Sequence, residues 1–411
     1  MKILVLNAGS SSQKSRLYKL ASSLPELAPT PLWEADADWG ERQGRTEIQI
    51  KTAHGAVLKE ELQTDSRPQV IAHLLTTLWS GTTRVIAQPS DIDIVGHRVV
   101  HGGEEYSEST FITPEVKATI ARLAIFAPAH NPANLEGIEA VERILPAVPQ
   151  VAVFDTAFHR QLPLASVVYP GPYEWFEQGI HRYGFHGISH QYCAHRTAQI
   201  LGKDLLSLRL ITCHLGNGCS LAAVHQGHSI DTTMGFTPLE GLMMGSRSGT
   251  IDPGILIHLM RQKGANADQL DTTLNKVSGL KGVSGISSDM RQILNALAEG
   301  NARAQLAFDV YVHRLRSFIG AMLASLGGLD ALVFAAGVGE NSPAVRAAAC
   351  EAFGFLGLKL DHEKNSQSPA DMDIATADSA IRVLIVHTQE DWQIAKECWR
   401  LAQATPVRFA C

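Results

Sequence analysis

The sequence lacks any long apolar run. Its richest stretch, Ser317–Leu329, is short, contains Gly327-Gly328 and stops at Asp330, well under the roughly 18–20 residues a membrane helix needs. A basic leader is also missing: Met1-Lys2-Ile3-Leu4-Val5-Leu6 runs straight into Asn7-Ala8-Gly9. That start reads as a strand rather than a signal peptide, so the expected location is the cytoplasm where the chain is made. Neither sign of charge dominates, with 35 Lys+Arg against 41 Asp+Glu and a formal net charge of −6. The balance removes the electrostatic case for a dedicated nucleic-acid or anionic-membrane binder. The six cysteines form no C-x-x-C pair, as expected for reduced thiols and not for a disulfide framework. Seventeen histidines are present, but neither H-E-x-x-H nor a Cys/His grid accompanies them, so zinc is not expected. A Walker loop, low-complexity tracts and short-period repeats are absent as well.

What is there is a 411-residue chain that is 45% apolar, too long for one compact core and suited to two domains or three. Apolar β-rich runs at Ile3–Leu6, Ile94–Val100, Val151–Phe154, Leu210–Cys213, Leu332–Phe334 and Val383–Val386 read as strands. Helical spacing lies between them, at Val116, Ile120 and Leu123, and at Leu315, Ile319, Met322 and Leu326 ahead of a Gly327-Gly328 cap. Strands mixed with helices throughout imply an α/β architecture. Glu34–Gly55 and Asp361–Ala380 are polar and read as excursions or loops. Three strands each run into a small, Gly/Asn/Ser-rich turn, at residues 6–12, 214–220 and 334–341. The first two lie about half a chain apart, which hints at two related halves. Small residues allow backbone N–H groups to converge on phosphate, although a glycine turn is equally the mark of an ordinary hairpin.

Several polar residues stand in apolar or glycine-rich surroundings. Arg98, in Gly96-His97-Arg98-Val99-Val100-His101-Gly102-Gly103, is either a structural arginine paired with a core carboxylate or a clamp for a carboxylate or phosphate. Asp155, at the end of Val151–Phe154, is either a metal or metal-water ligand or an N-cap. His130 sits in a tight turn and His186 between Phe185 and Gly187, while Arg247 lies on the loop Gly245-Ser246-Arg247-Ser248-Gly249.

Taken together, L-N-A-G-S-S-S-x-K, G-H-R-V-V-H-G-G, H-N-P-A-N, F-D-T-A-F-H, R-Y-G-F-H-G-x-S-H, H-L-G-N-G-x-S, G-S-R-S-G, S-G-x-S-S-D-M-R and A-G-V-G-E-N-S closely resemble the acetate kinase family, in order and over residues 1 to about 400. The resemblance implies a duplicated two-domain, actin-like ATPase (ribonuclease H-like) fold with an interdomain active-site cleft. It implies one domain from residues 1–155 plus 388–411 and another, nucleotide-binding and dimerising, from 156–387. It implies reversible, Mg²⁺-dependent transfer of the ATP γ-phosphoryl group to acetate, giving acetyl phosphate and ADP within acetyl-CoA/acetate interconversion, with Mn²⁺ as an alternative metal and a homodimeric assembly. By the family pattern Asn7 and Glu390 help hold magnesium, and Lys14 contacts the nucleotide phosphates. Arg98 binds the acetate carboxylate, and Arg247 and His186 stabilise the phosphoryl group in transit. His214, Leu215, Gly216, Asn217 and Gly218, with Gly337, Val338, Gly339, Glu340 and Asn341, line the ATP phosphates. Asp289, Met290 and Arg291 sit beside the adenosine. Val100, Ala129, His130, Phe185 and Pro238 border the acceptor.

Direct in-line transfer brings two anions together, so arginines, a histidine donor and a divalent cation suit the reaction. The acceptor carboxylate is already ionised near neutral pH and needs no general base. Asp155 is therefore expected to act mainly by orienting magnesium through water. Ala129 stands where the family usually has leucine, leaving room for an extra methylene worth about 0.8 kcal/mol, and so for propionate. Gln389 and Asp391 replace the asparagine and second glutamate common beside Glu390, and Gln13 replaces a leucine. A nucleotide-driven binding module on the same fold is the rival class, but it has no use for Arg98 and Arg247.

Overall fold

The computed structural model describes residues 1–9, 12–39, 44–128 and 130–404. Ala129, and Ser10 and Ser11 of the first glycine turn, lie outside the described residues. The chain divides into two compact units, Met1–Ala157 with Gln389–Cys411, and Phe158–Thr388. No helix among the described residues is long and apolar enough to cross a membrane.

The first unit is built on β1 (Lys2–Ala8), β2 (Ser12–Lys19), β3 (Trp33–Asp38), β4 (Thr46–Thr52), β5 (Val57–Leu62), β6 (Ile94–Val99), β7 (Thr110–Phe111) and β8 (Gln150–Phe154). They form one sheet in the order β5-β4-β3-β2-β1-β6-β8-β7. The central strands β1 and β8 are buried almost throughout, which is why they read as unbroken apolar runs. β3 and β4 behave differently, burying Ala35, Ala37, Ile48 and Ile50 while Asp36, Asp38 and Glu47 face outward. The expected loop at Glu34–Gly55 is therefore wrong in the main. Trp33–Asp38 and Thr46–Thr52 are two antiparallel strands whose polar character comes from one solvated face, since alternate side chains point to opposite sides of a sheet. Asp361–Ala380 contains a short helix, His362–Gln367, and a two-residue strand within otherwise irregular chain.

The second unit carries β9 (Arg209–Leu215), β10 (Cys219–His225), β11 (His228–Thr232), β12 (Ala331–Ala335), β13 (Met372–Asp373) and β14 (Arg382–Ile385), ordered β11-β10-β9-β12-β14-β13. The echo between the glycine turns now has a structural counterpart. In the first unit β3-β2-β1 are antiparallel neighbours and β1-β6-β8 are parallel. In the second, β11-β10-β9 are antiparallel and β9-β12-β14 parallel. The same five-strand topology is used twice, with β4, β5 and β7 added to one copy and β13 to the other. The first two glycine turns are hairpins, β1–β2 and β9–β10. The third joins a strand to the short helix Ala336–Asn341.

Two glycine features matter for placing functional groups. The helix Glu390–Ala404 lies so close to β6 that a Cβ on Gly96 would stand 2.5 Å from Cys398 Sγ and 2.8 Å from Ile394 Cγ2. Only glycine admits this approach, which seats the acidic start of that helix beside β1. The helix Ala302–Leu326 ends on Gly327 at φ 65°, whose N–H donates to Leu323 O at 3.1 Å, as the glycine cap anticipates.

Candidate active site

In the first unit, β6 and β8 are parallel neighbours with Arg98 opposite Val153. Asp155 follows β8 directly and extends the ladder by donating its N–H to Val99 O at 2.9 Å. Arg98 Nε then donates to both carboxylate oxygens of Asp155 at 3.1 Å, and Nη2 to Oδ2 at 2.5 Å. The Asp155 side chain is 1% exposed and that of Arg98 14%. Burial opposes the arginine's charge, but Asp155, and behind it Glu390 and Asp391, raise its pKa above the ordinary value. Arg98 is thus a fixed cation that keeps slight exposure. Arg98 therefore pairs with a core carboxylate, as one of its two readings expects, and a guanidinium is also the group that suits an anion through parallel hydrogen bonds. Asp155 has acquired a partner that sequence reasoning did not assign to it.

The chain leaving Arg98 is held by two asparagines that sequence reasoning also passed over. Val100 N–H donates to Asn134 Oδ1 and His101 N–H to Asn131 Oδ1, both at 3.1 Å. Asn131 Nδ2 returns a bond to His101 O at 3.2 Å. Both asparagines are buried in the first turn of the helix Asn131–Ile144, with His130 at its N-cap. The available signal was the pair of amides three residues apart in H-N-P-A-N, a spacing that puts them on one helix face.

Asn7 lies in the same unit as Arg98. Its Nδ2 donates to Glu390 Oε2 at 3.1 Å and Asp391 Oδ1 at 2.8 Å. Burial raises the Asp391 pKa, partly offset by Arg16, Asn7 and Lys14. Among the described residues no cluster of three or more His, Cys, Asp or Glu could cage a metal. The donors at hand are hard oxygens, two carboxylates and an amide. They fit magnesium, which commonly takes one or two carboxylates and completes its shell with water and substrate phosphates. Lys14 lies on β2 directly opposite Asn7 and is exposed.

In the second unit the expected motifs converge. His186 occupies the left-handed region (φ 55°, ψ 26°) at the start of the helix Gly187–Leu201, a conformation that costs a non-glycine residue of order 1 kcal/mol or more and tends to mark functional positions. Its ring stacks on His214, with centroids 4.1 Å apart and planes inclined by 23°. A Cβ placed on Gly218 would lie 3.4 Å from both His186 Cε1 and Arg247 Nη1. The β9–β10 turn therefore presents bare backbone to the imidazole and the guanidinium together. Arg247 Nη1 is anchored on Pro238 O at 3.0 Å. Gly245 N–H donates to Asn217 O at 3.0 Å, and a Cβ on Gly245 would meet Asn217 Oδ1 and Ser288 O. That contact ties the 214–218 turn, the 244–249 loop and the segment leading to Asp289 into one cluster. Ala336, left-handed at φ 63°, has its Cβ 3.8 Å from the Cβ position of Gly216, which brings in the third turn.

Not every expected nucleotide contact presents its side chain. Leu215 and Met290 are buried, leaving only their backbone for a ligand. Arg291 is 88% exposed and bound to Asp289 at 2.6 Å. Glu340 braces the chain, accepting from Ala336 N–H at 2.9 Å and Thr388 N–H at 3.0 Å and pairing with His387 Nδ1 at 2.6 Å. Asn341 Nδ2 donates to Gly337 O at 2.9 Å. Phe185 is buried at 1% exposure, and Val100 at 3%.

Among known proteins, the Acetokinase family pattern matches residues 2–396. The chain belongs to the acetokinase family. It is 67% identical over 403 residues to an acetate kinase of Cyanothece sp., covering 98% of this chain and 99% of that protein. Among solved structures it is similar to an acetate kinase of Porphyromonas gingivalis (TM-score 0.88, 40% identity, 97% of this chain and 99% of that one). It is also similar to a propionate kinase of Francisella tularensis subsp. tularensis (TM-score 0.88, 37% identity, the same coverage). The family's actin-like ATPase-type fold accounts for the doubled five-strand topology described above.

Proposed function

We propose that this protein transfers the γ-phosphoryl group of ATP to acetate, reversibly, and that the Arg98–Asp155 pair is the observation that carries the choice of acceptor. A nucleotide-driven binding module needs turns for ATP, but it does not need a partly exposed guanidinium fixed by a buried carboxylate. In this reading Arg98 receives the acetate carboxylate, and Val100, Phe185 and Pro238 supply apolar surroundings for the methyl group. His186 and Arg247 donate to the equatorial oxygens of the phosphoryl group as it moves from ADP oxygen to carboxylate oxygen. Negative charge concentrates on those oxygens in a loose transition state, so preorganised donors lower the barrier. No base is assigned, because the attacking carboxylate carries no proton near neutral pH. Magnesium, held through Asn7, Glu390 and Asp391, would neutralise phosphate charge when bound. Lys14 and the 214–218 and 337–341 turns would receive the nucleotide phosphates. Five cysteines are buried as free thiols, which supports a reducing cytoplasm as the place of work.

Acyl hydroxamate formation from ATP, Mg²⁺ and hydroxylamine, measured with acetate, propionate and butyrate, tests the reading. Acetate-dependent product is expected, and its absence would end the proposal. The same assay addresses propionate, which is favoured as a second substrate by Ala129 and by the likeness to a propionate kinase. Ala129→Leu is expected to sharpen the preference for acetate by about fourfold, the worth of one methylene. An unchanged ratio would leave the small side chain without a role.

We also propose a homodimer. The helix Pro253–Lys263 buries none of its residues, and Ile255, Ile257 and Met260 on it are 46%, 50% and 52% exposed. An eleven-residue helix with this much apolar surface and no residue buried within its own chain is better matched to a partner subunit than to water. Light scattering is expected to give twice 44.5 kDa, and Ile257→Glu to shift the equilibrium towards monomer. A monomeric parent protein would refute this.

A further inference from the structure

Behind His186 lies a line of polar side chains with no access to water. Thr212, His190 and Ser220 are 1%, 1% and 0% exposed. Thr212 Oγ1 is 2.7 Å from His190 Nδ1, His190 Nε2 is 2.7 Å from Ser220 Oγ, and Ser220 Oγ is 2.9 Å from His186 Nδ1. Each hydroxyl has one hydrogen to give and each neutral imidazole one N–H, so the chain can run in only two directions. Burial, reinforced by His159 and His214, lowers the His190 pKa well below the ordinary value, so His190 is neutral and has a single N–H.

The direction is decided at Thr212. Run one way, its hydroxyl donates to His190 Nδ1 at 2.7 Å. Run the other way, that hydrogen must turn to Ala222 O, which is 3.5 Å away, at the limit of a hydrogen bond. The 2.7 Å contact is a hydrogen bond either way, but only the first direction gives the buried Thr212 hydrogen a good acceptor. His190 then donates from Nε2 to Ser220, and Ser220 donates to His186 Nδ1. An adjacent histidine is fixed independently: the Phe185 carbonyl can only accept, so His159 donates to it from Nε2 at 3.0 Å and accepts from Ser229 at Nδ1. The residue before His186 is thereby anchored too.

We propose that Thr212, His190 and Ser220 are positioning residues that set the tautomer of His186, so that it meets the phosphoryl group with an Nε2–H and not a lone pair. The inference rests on the proposed role of His186 and deepens it. The Cβ position of Gly218 is 3.5 Å from His186 Nε2 and 3.4 Å from Arg247 Nη1, so both nitrogens face the same neighbourhood. With Nε2–H the site offers an anion two donors. With the opposite tautomer a nitrogen lone pair would oppose an anionic oxygen, and one transition-state contact would become repulsive.

The test combines tautomer detection by long-range ¹H–¹⁵N NMR on ¹⁵N-histidine-labelled enzyme with steady-state kinetics, His186→Gln serving to assign the resonance. Wild-type enzyme and Thr212→Ser, which keeps the hydroxyl, are expected to show His186 protonated on Nε2. Ser220→Ala and the isosteric Thr212→Val are expected to show mixed or reversed tautomers, with kcat lower by about 10–100-fold and KM for ATP and acetate within about twofold. A purely structural role would not move the tautomer or separate kcat from KM. An Nδ1–H tautomer in the wild type, or wild-type kcat in both Ser220→Ala and Thr212→Val, overturns the relay. Undiminished kcat in His186→Gln instead overturns the reading of His186 as a phosphoryl contact, and the wild-type tautomer still decides the relay.

Discussion

Arg98→Ala is expected to remove acetate-dependent activity by at least about 10³-fold and to destabilise the first unit by about 3–5 kcal/mol. The two losses have one cause. The Asp155 side chain is 1% exposed and receives three contacts from Arg98. Removing the guanidinium leaves that carboxylate charged and buried, and it also removes the fork that would hold the acceptor. Arg98→Lys separates the effects. An ammonium can stay near Asp155 but cannot bond in parallel to two carboxylates, so stability should return in part while KM for acetate stays high. Asp155→Asn discriminates between two accounts of that aspartate. If it works by holding Arg98, the variant loses acetate affinity with little change in magnesium dependence. If it works by orienting magnesium through water, as the sequence reading expected, the magnesium concentration needed for half-activity rises instead. Wild-type acetate KM in Arg98→Lys would remove Arg98 from the acceptor site.

The second large effect is expected at Arg346, where substitution by methionine should destabilise the second unit by about 3–5 kcal/mol. This side chain is fully buried at 0% exposure. Nη1 donates to Gly339 O and Glu340 O, Nε to Asn365 Oδ1, and Nη2 to Asn365 O and Ser368 Oγ, each at 2.8 Å. Burial pulls its pKa down to about 10, so it remains charged at neutral pH, solvated by oxygens of the protein instead of water. Methionine would strand these acceptors in the interior. Two of them lie within the short helix Ala336–Asn341, so KM for ATP should rise along with the loss of stability. Lysine, a point charge with three donors, cannot span the same acceptors and should recover less than half of the stability. Urea unfolding decides it, and a methionine variant within about 1 kcal/mol of wild type would show that the network is dispensable.

Much of the fold was legible because its central strands are buried on both faces. Ile3–Leu6, Leu210–Cys213 and Leu332–Phe334 each fall within a strand of the structure. What periodicity concealed was β3 and β4. Glu47, Gln49 and Lys51 face away from the core while Ile48 and Ile50 face it, and counting polar residues without their alternation turned a half-buried sheet into a loop.

The residues of the candidate site were legible as motifs, since backbone approach demands glycine and anion binding demands arginine, histidine or an amide at set spacings. Their relations were not. Arg98 and Asp155 are 57 residues apart and meet because β6 and β8 are parallel neighbours. Asn7 meets Glu390 across 383 residues because Gly96 admits the last helix against β6. The relay behind His186 crosses from a helix to β9 and β10, so the motifs that carry His190 and Ser220 do not show that the two meet. Composition, periodicity and motif determine which chemical groups are present and which elements carry them. Hydrogen-bond direction, burial and the pairing of charges depend on distances between residues far apart in the chain, and those were decided only when the sheets assembled.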